Sequence, residues 1–220
     1  MKKSIFLPVL FTTFLLYAVV SCSLPSSAIV SDSESISFDQ VNELFVDEPS
    51  SGMVIFKTND EHYWSANGYT LWALDGDAST GTTSDFVSQS RILSKTSGDA
   101  YAGYGIVFCQ GENSALQNTM YTVMINTKQQ YCIGKVIGAE YSSIQWWTAS
   151  TSLFSGWGTA NQVDVAYDTA NDVYTVSLNG TEVYKFANDS EVNDGGNSGY
   201  LVVISPYDIF PDTTVEVHYQ

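Results

Sequence analysis

From Asp85 to Ile137 the chain breaks into four short runs: Asp-Phe-Val-Ser-Gln-Ser-Arg-Ile-Leu, Tyr-Gly-Ile-Val-Phe-Cys, Met-Tyr-Thr-Val-Met-Ile-Asn and Gln-Tyr-Cys-Ile-Gly-Lys-Val-Ile. Polar or Gly-bearing turns close each run. Side chains that alternate with a period of two suit a strand and cannot form one stripe on a helix. Further runs of this kind fall at Met53–Lys57, Trp64–Leu74, Ile144–Thr148, Gln162–Tyr167, Val173–Leu178, Thr181–Phe186, Tyr200–Ser205 and Thr214–Tyr219. No long stretch sustains a 3.6-residue period, and no internal repeat is visible. So many short strands at regular spacing predict an all-β, antiparallel sandwich or barrel. Several runs are apolar on both faces, which favours two packed sheets.

The alternation also assigns faces. Tyr104, Ile106, Phe108, Tyr121, Val123, Ile125 and Ile133 fall on a predicted core side. Thr122, Met124, Cys132, Gly134 and Val136 fall on the other, with Gly105, Val107 and Cys109 on the reverse of the second run. Gln89 and Arg91 share a face with Val87 and Leu93. Two turns are explicit: a three-residue loop at Thr127–Gln129, and Asn179-Gly180, a strong short hairpin signal. Residues 36–46 leave two options open, a first strand or a short helix at 38–45.

The first residues are Met-Lys-Lys, followed by an apolar run from Ile5 to Val20 and then Ser21-Cys22. A basic start, an apolar stretch and a small residue at the break read as an export signal over residues 1–21. The run falls short of the roughly 20 apolar residues a spanning helix needs. Val-Val-Ser-Cys resembles a bacterial lipoprotein signal with a relaxed lipobox. The resemblance implies that Cys22 carries the lipid and holds the protein on a membrane, at the outer membrane or cell surface. An ordinary cleaved signal with an incidental cysteine is the other reading. Residues 22–35, rich in serine, read as a flexible tether, and 36–220 as one β domain.

Formal net charge is −16 for 220 residues. That excludes nucleic acid as a partner and electrostatic attachment to anionic lipid. Beyond Cys22 only Cys109 and Cys132 remain. They lie two strands apart, and two strand spacings span about 9–10 Å, beyond the roughly 7 Å between Cα atoms that a disulfide bridges. The expectation is two free thiols.

Taken in order, several segments carry a family likeness. They are Asp85-Phe86-Val87, Ala102 to Phe108, Tyr121 to Ile125 with Gln130 to Lys135, Asn161 to Val165, Tyr174 to Val183 and Gly199-Tyr200-Leu201. This order, over about two thirds of the chain, resembles concanavalin A-like jelly rolls of the laminin G and glucanase type. It is most similar to the bacterial keto-disaccharide hydrolase-like domains. The resemblance implies a two-sheet jelly roll whose concave sheet carries a binding or catalytic site. It does not settle function, because this scaffold hosts lectins, hydrolases and structural modules alike.

The glucanase pattern Glu-x-Asp-x-(x)-Glu is absent from the sequence, and glycoside hydrolysis generally needs two carboxylates on one site. Asp75, Asp77, Asp47 and Glu48 fall outside predicted strands, while Asp164, Glu182 and Glu216 stand singly in theirs. Glu216 and His218 share a face of the last strand, read as the solvated side of an edge strand. Arg91, the only arginine, could hold a sugar hydroxyl or a carboxylate, or serve a structural ion pair; family analogy puts it and Gln89 on the concave sheet. Adjacent Trp146 and Trp147 would send their rings to opposite faces, one into the core and one free to stack on a sugar. Gln89, Arg91, Thr122, Trp146 and Trp147 are therefore the candidate ligand residues, with Trp64, Trp72 and Trp157 as further stacking candidates that core packing could also claim. No cofactor is implied. Calcium is a secondary option at Asp75, Asp77 and the 189–194 loop.

These features point to a lipid-anchored bacterial envelope protein with a non-catalytic, carbohydrate-binding β-sandwich. A glycan-processing hydrolase and a structural or host-interacting lipoprotein remain as alternatives. Binding requires an exposed aromatic with a few polar groups on the sheet. Catalysis requires converging acids, and a structural role requires a face filled with apolar side chains.

Overall fold

Burying every second side chain of a strand requires a second layer to cover that face. A computed structural model of the chain describes residues 46–50, 53–59, 69–74, 88–138, 140–193 and 195–220. These hold thirteen strands: β1 (Val46–Ser50), β2 (Met53–Thr58), β3 (Tyr69–Leu74), β4 (Ser88–Ser97), β5 (Tyr104–Glu112), β6 (Asn118–Ile125), β7 (Gln130–Ile137), β8 (Glu140–Ala149), β9 (Asn161–Asp168), β10 (Val173–Leu178), β11 (Thr181–Ala187), β12 (Asn197–Ile204) and β13 (Val215–Tyr219). The order β1-β2-β13-β4-β9-β10-β11 makes one sheet and β3-β12-β5-β6-β7-β8 the other. Every pairing is antiparallel. The export signal, Cys22, the tether, Trp64 and the Asp75–Asp77 loop lie outside the described residues. Among the described residues, no helix is long and apolar enough to cross a membrane.

The main core lies between the sheets. Ile106, Phe108, Tyr121, Val123 and Ile133 of the six-stranded sheet meet Val163, Val165, Tyr174, Val176 and Val217 of the seven-stranded one. Phe108, Tyr121, Tyr174 and Phe186 form a ring cluster with centroids 5.1–5.5 Å apart. Each such pair is worth about 0.5–1.5 kcal/mol beyond its burial. Both predicted hairpins form. Asn179 and Gly180 have φ of 51° and 78°, the paired positive values that a two-residue hairpin turn demands. Gln129 closes the three-residue loop at φ 58°.

Four local expectations are corrected. Cys109 does not share the outward face of Gly105 and Val107. A bulge between Phe108 and Gly111, with Cys109 at φ 54°, turns its thiol into the core, where Sγ lies 3.2 Å from the Tyr174 hydroxyl. A bulge adds a residue and so resets alternation beyond it. The last strand, β13, is not an edge, because β2 and β4 flank it. Asp47 and Glu48 are in a strand, β1, at the sheet edge, where Pro49 is tolerated. Finally, β4 belongs to the seven-stranded sheet, which relocates Gln89 and Arg91.

One end of the sandwich is organised by Lys95, whose side chain has 0% exposure. Its Nζ donates to the carbonyls of Asp99 (2.8 Å) and Ala102 (3.3 Å). Buried Asp208 accepts from the backbone N–H groups of Asp99 (2.8 Å) and Ser205 (3.0 Å), and the Ser205 hydroxyl donates to Asp99 (2.6 Å). The β4–β5 and β12–β13 loops are thereby joined. Removal from water pulls the Lys95 pKa down from 10.5 to about 8, against the opposing fields of Asp208 and Asp99. Burial likewise raises that of Asp208.

Between pH 8 and 10.5 the unfolded lysine keeps its proton while the folded one has released it. Stability contributed by this group therefore rises with pH in that window. Buried tyrosines such as Tyr104, held above their ordinary value by burial, oppose this only at higher pH. The Cys132 thiol, also raised by burial, opposes this within the window, so the lysine is read as a difference: wild type should gain urea stability relative to Lys95→Met from pH 8 to about 9.5. At neutral pH the same substitution should cost about 3 kcal/mol, since it strands two carbonyls and a buried carboxylate. A stability difference between wild type and Lys95→Met that does not grow over this window would rule out the buried, titrating lysine.

Candidate functional site

The face of the six-stranded sheet that points away from the core is built in rows by the register. Trp72, Leu201, Gly105, Met124 and Cys132 stand in line across β3, β12, β5, β6 and β7. The next row is Leu74, Gly199, Val107, Thr122, Gly134 and Ser143. Met120, Val136 and Tyr141 form a third. The middle row is made mostly of small side chains between two rows of larger ones. Trp72, Leu74, Val107, Met120, Met124, Cys132, Val136 and Leu201 form one buried cluster, with Tyr141, Trp147 and Val203 packed against it.

Two aromatic rings lie close over glycines. A Cβ on Gly134 would sit 2.4 Å from the Tyr141 ring, and one on Gly103 would sit 3.0 Å from the Trp147 ring. Real Cβ atoms are never found at the first distance, so Gly134 is required by the ring above it. The Tyr141 hydroxyl lies 3.2 Å from Cys132 Sγ, and Thr122 and Ser143 also bond to it. Burial raises the pKa of the Cys132 thiol and, more strongly, that of the Tyr141 phenol. Both stay protonated at neutral pH, so Cys132 is a weak nucleophile. Among the described residues, buried Trp72 Nε1 has no hydrogen-bond partner.

At the β8 edge the register shifts twice. Tyr131 pairs with Thr148 and Ile133 with Gln145, so Trp146 and Trp147 together oppose Cys132. Strict alternation would have sent the two rings to opposite faces. The bulge replaces that division. Trp147 packs on the outward cluster, not in the core, and Trp146 is 61% exposed.

The sequence-derived ligand residues are thus only partly brought together. Thr122, Trp146 and Trp147 belong to the six-stranded sheet. Gln89 and Arg91 do not join them. They pair with Val165 and Val163 on the core-facing side of β4. Gln89 is buried and its Nε2 donates to the Gly199 carbonyl at 3.4 Å. Arg91 Nε donates to the Tyr200 hydroxyl at 3.2 Å, and the guanidinium sits 5.6 Å from that ring's centroid. Both side chains bridge the two sheets. Alternation gave their shared face correctly, but sheet membership is a long-range property that alternation does not carry. Tyr141 was not singled out, and Gly134, one strand from a tyrosine, was the signal for it; Trp72, a further stacking candidate, is buried in this cluster.

Other candidate chemistry is accounted for by local pairs. Glu216 accepts from His218 Nε2 at 2.6 Å and pairs with Lys57 at 3.3 Å. His218 foremost, then Lys57, holds its carboxyl below the usual range. Asp189 is bound by Lys135, and the described part of the 189–194 loop presents that carboxylate to an ammonium. Among the described residues, no three His, Cys, Asp or Glu side chains converge as a metal site, and the three rows of the outward face hold no carboxylate. Gly134→Ala should displace the Tyr141 ring and cost about 1–3 kcal/mol in unfolding free energy. Unchanged stability and tyrosine accessibility would contradict the ring-on-glycine packing.

No protein-family profile matches the chain, and no curated protein sequence does. Solved structures do. A family 7 alginate lyase in complex with substrate is similar at TM-score 0.51 and 10% identity, over 84% of each chain. A glycoside hydrolase family 16 endo-glucanase from Bacteroides ovatus is similar at TM-score 0.50 and 8% identity, over 79% of this chain and 81% of that one. A carbohydrate-binding module from Bacillus subtilis aligns more loosely, at TM-score 0.39 and 12% identity, over 76% of this chain and 80% of the module. At such identities the likeness speaks to the fold alone, and the fold is an all-β, two-sheet jelly roll of the concanavalin A-like kind.

Proposed function

We propose that this chain is a lipid-anchored envelope protein whose jelly roll binds glycan without cleaving it. The observation that carries the reading is the β8 bulge. It sets exposed Trp146 beside Trp147 at the margin of a sheet face whose polar groups are hydroxyls. An indole offers a flat apolar surface to the C–H face of a sugar ring, and the exposed Ser143 hydroxyl at the same margin can bond a sugar hydroxyl. The three rows supply none of the paired carboxylates that glycoside hydrolysis uses. The apolar run ending at Cys22 supports the anchor.

A structural or partner-binding role is favoured by a different observation. Eight apolar side chains of the outward face are at most 9% exposed, so only the β8 margin is left open for a sugar.

A glycan array probed with the full-length protein should show a preferred ligand that Trp146→Ala weakens about tenfold, the worth of one stacked ring. Arg91→Ala should leave the affinity unchanged and lower stability, because it removes a bridge between the sheets. No ligand, or one indifferent to Trp146→Ala, would sink the glycan reading. Cys22→Ser should release the protein from membranes; continued tight retention would refute the anchor.

A further inference from the structure

Among the described residues, five loops at the Lys95 end converge on one surface. Thr127 Oγ1 donates to the Ala100 carbonyl at 3.0 Å and Asn126 Nδ2 to that of Tyr101 at 3.4 Å. The Gly158 N–H donates to the Lys95 carbonyl at 2.8 Å and that of Gly156 to Thr127 at 3.1 Å. Asn179 Nδ2 donates to the Ser152 carbonyl at 2.7 Å. The loops β4–β5, β6–β7, β8–β9, β10–β11 and β12–β13 are therefore held as one rigid cap. A cap so well bonded beneath has no structural need for large apolar side chains on its outside. Yet Tyr101, Phe154, Trp157, Tyr207 and Ile209 project there, Tyr207 at 81% and Ile209 at 65% exposure.

Charge is distributed against this pattern. Among the described residues of the cap loops the fully exposed charged side chains are Lys128 and Asp212, one of each sign, with Glu182 exposed just past the β10–β11 turn. At the opposite end, the turns between β5 and β6, β7 and β8, β9 and β10, and β11 and β12 hold or adjoin Glu112, Glu140, Asp168, Asp172, Asp189 and Glu191, with Lys135 as counterion. The described loops of this end are thus aromatic and carry little of the chain's net charge of −16.

The topology supplies the direction. Strand β1 pairs Val46 with Phe56 and Ser50 with Met53. Strand β2 in turn runs its Thr58 end alongside Val215, and Glu216 pairs with Ser97. The chain therefore enters β1 from the aromatic end. A lipid on Cys22, 24 residues before Val46, would tether the domain through that end.

We propose that the cap is a membrane-contact surface, its rings and Ile209 seated at the headgroup boundary of the lipid that anchors the chain. This rests on the lipid-anchor reading given above. Tyrosine and tryptophan concentrate at such boundaries because one end of the ring is apolar and the other polar. Phe154 and Ile209 have no polar handle, and an aliphatic side chain offers a sugar no stacking face, so a lipid surface suits the set better than a glycan. With so acidic a chain the contact is apolar, and anionic headgroups weaken it.

The test uses full-length lipidated protein in phosphatidylcholine vesicles whose acyl chains are brominated. Tryptophan emission should be quenched relative to unbrominated vesicles, and Trp157→Phe should lower the quenched fraction about twofold, since the cap is the part at the boundary. Unlipidated Cys22→Ser protein should still partition weakly onto the same vesicles. There Phe154→Ser and Ile209→Ser should each weaken binding roughly tenfold. Added salt should leave it unchanged, and phosphatidylglycerol should reduce it. Absence of quenching in membrane-held protein overturns the cap proposal and leaves the anchor intact. Loss of the anchor alone shows as wild-type protein released from membranes that still partitions through Phe154 and Ile209. If Phe154→Ser abolishes glycan binding and changes no quenching, the cap is a sugar site and the proposal fails.

Discussion

A single ammonium group inside the sandwich sets the shape of one end. Lys95 projects inward from β4, and the Asp99 and Ala102 carbonyls receive its protons. Asp208 reaches in from the β12–β13 loop and bonds the N–H of Asp99. A buried charge is costly unless donors and acceptors surround it. The loops must therefore wrap in one way, and the surface above them inherits that order. At the other end the β11–β12 loop is tied by neutral groups, the buried Tyr121 and Thr119 hydroxyls, and by the Lys135–Asp189 pair.

The sheets show a complementary economy. Between them, rings and branched side chains interdigitate as in any sandwich core. On the outward face of the six-stranded sheet, glycines at 103 and 134 make room for Trp147 and Tyr141 to lie close to the backbone. That face is apolar and largely buried, with Tyr141 and Trp147 packed against its cluster. The consequence for function is a division of labour. The face is closed over most of its area, and contact with other molecules falls to its margin at β8 and to the loop cap.

What the sequence revealed follows the range of the interactions. Period-two alternation and turn chemistry are local. Hence the two hairpins, most strands, and the core side from Tyr104 through Ile133 were readable in advance. The thiols of Cys109 and Cys132 are free as expected, though for a further reason: a bulge turns the first into the core. Bulges at Cys109 and at Trp146-Trp147 are single-residue insertions, and nothing in a polar-apolar pattern marks them. The sheet assignment of β4 depends on a partner in β9, more than seventy residues away in the case of Ser90 and Asp164. Thus Gln89 and Arg91 were rightly paired with each other and wrongly joined to Thr122. The Lys95 cluster drew no notice because a lone lysine in a strand ordinarily faces water.

The two cysteines have a use beyond structure. Each thiol is covered, and each sits against a tyrosine hydroxyl, but on opposite faces of the same sheet. Cys109 can meet a reagent only when the sheets part, and Cys132 only when Tyr141 and its neighbours lift from the outward face. The rate at which each is alkylated under native conditions is a clock for a different opening. The molecule thus carries two internal reporters, able to distinguish separation of its layers from peeling of its edge without any added label.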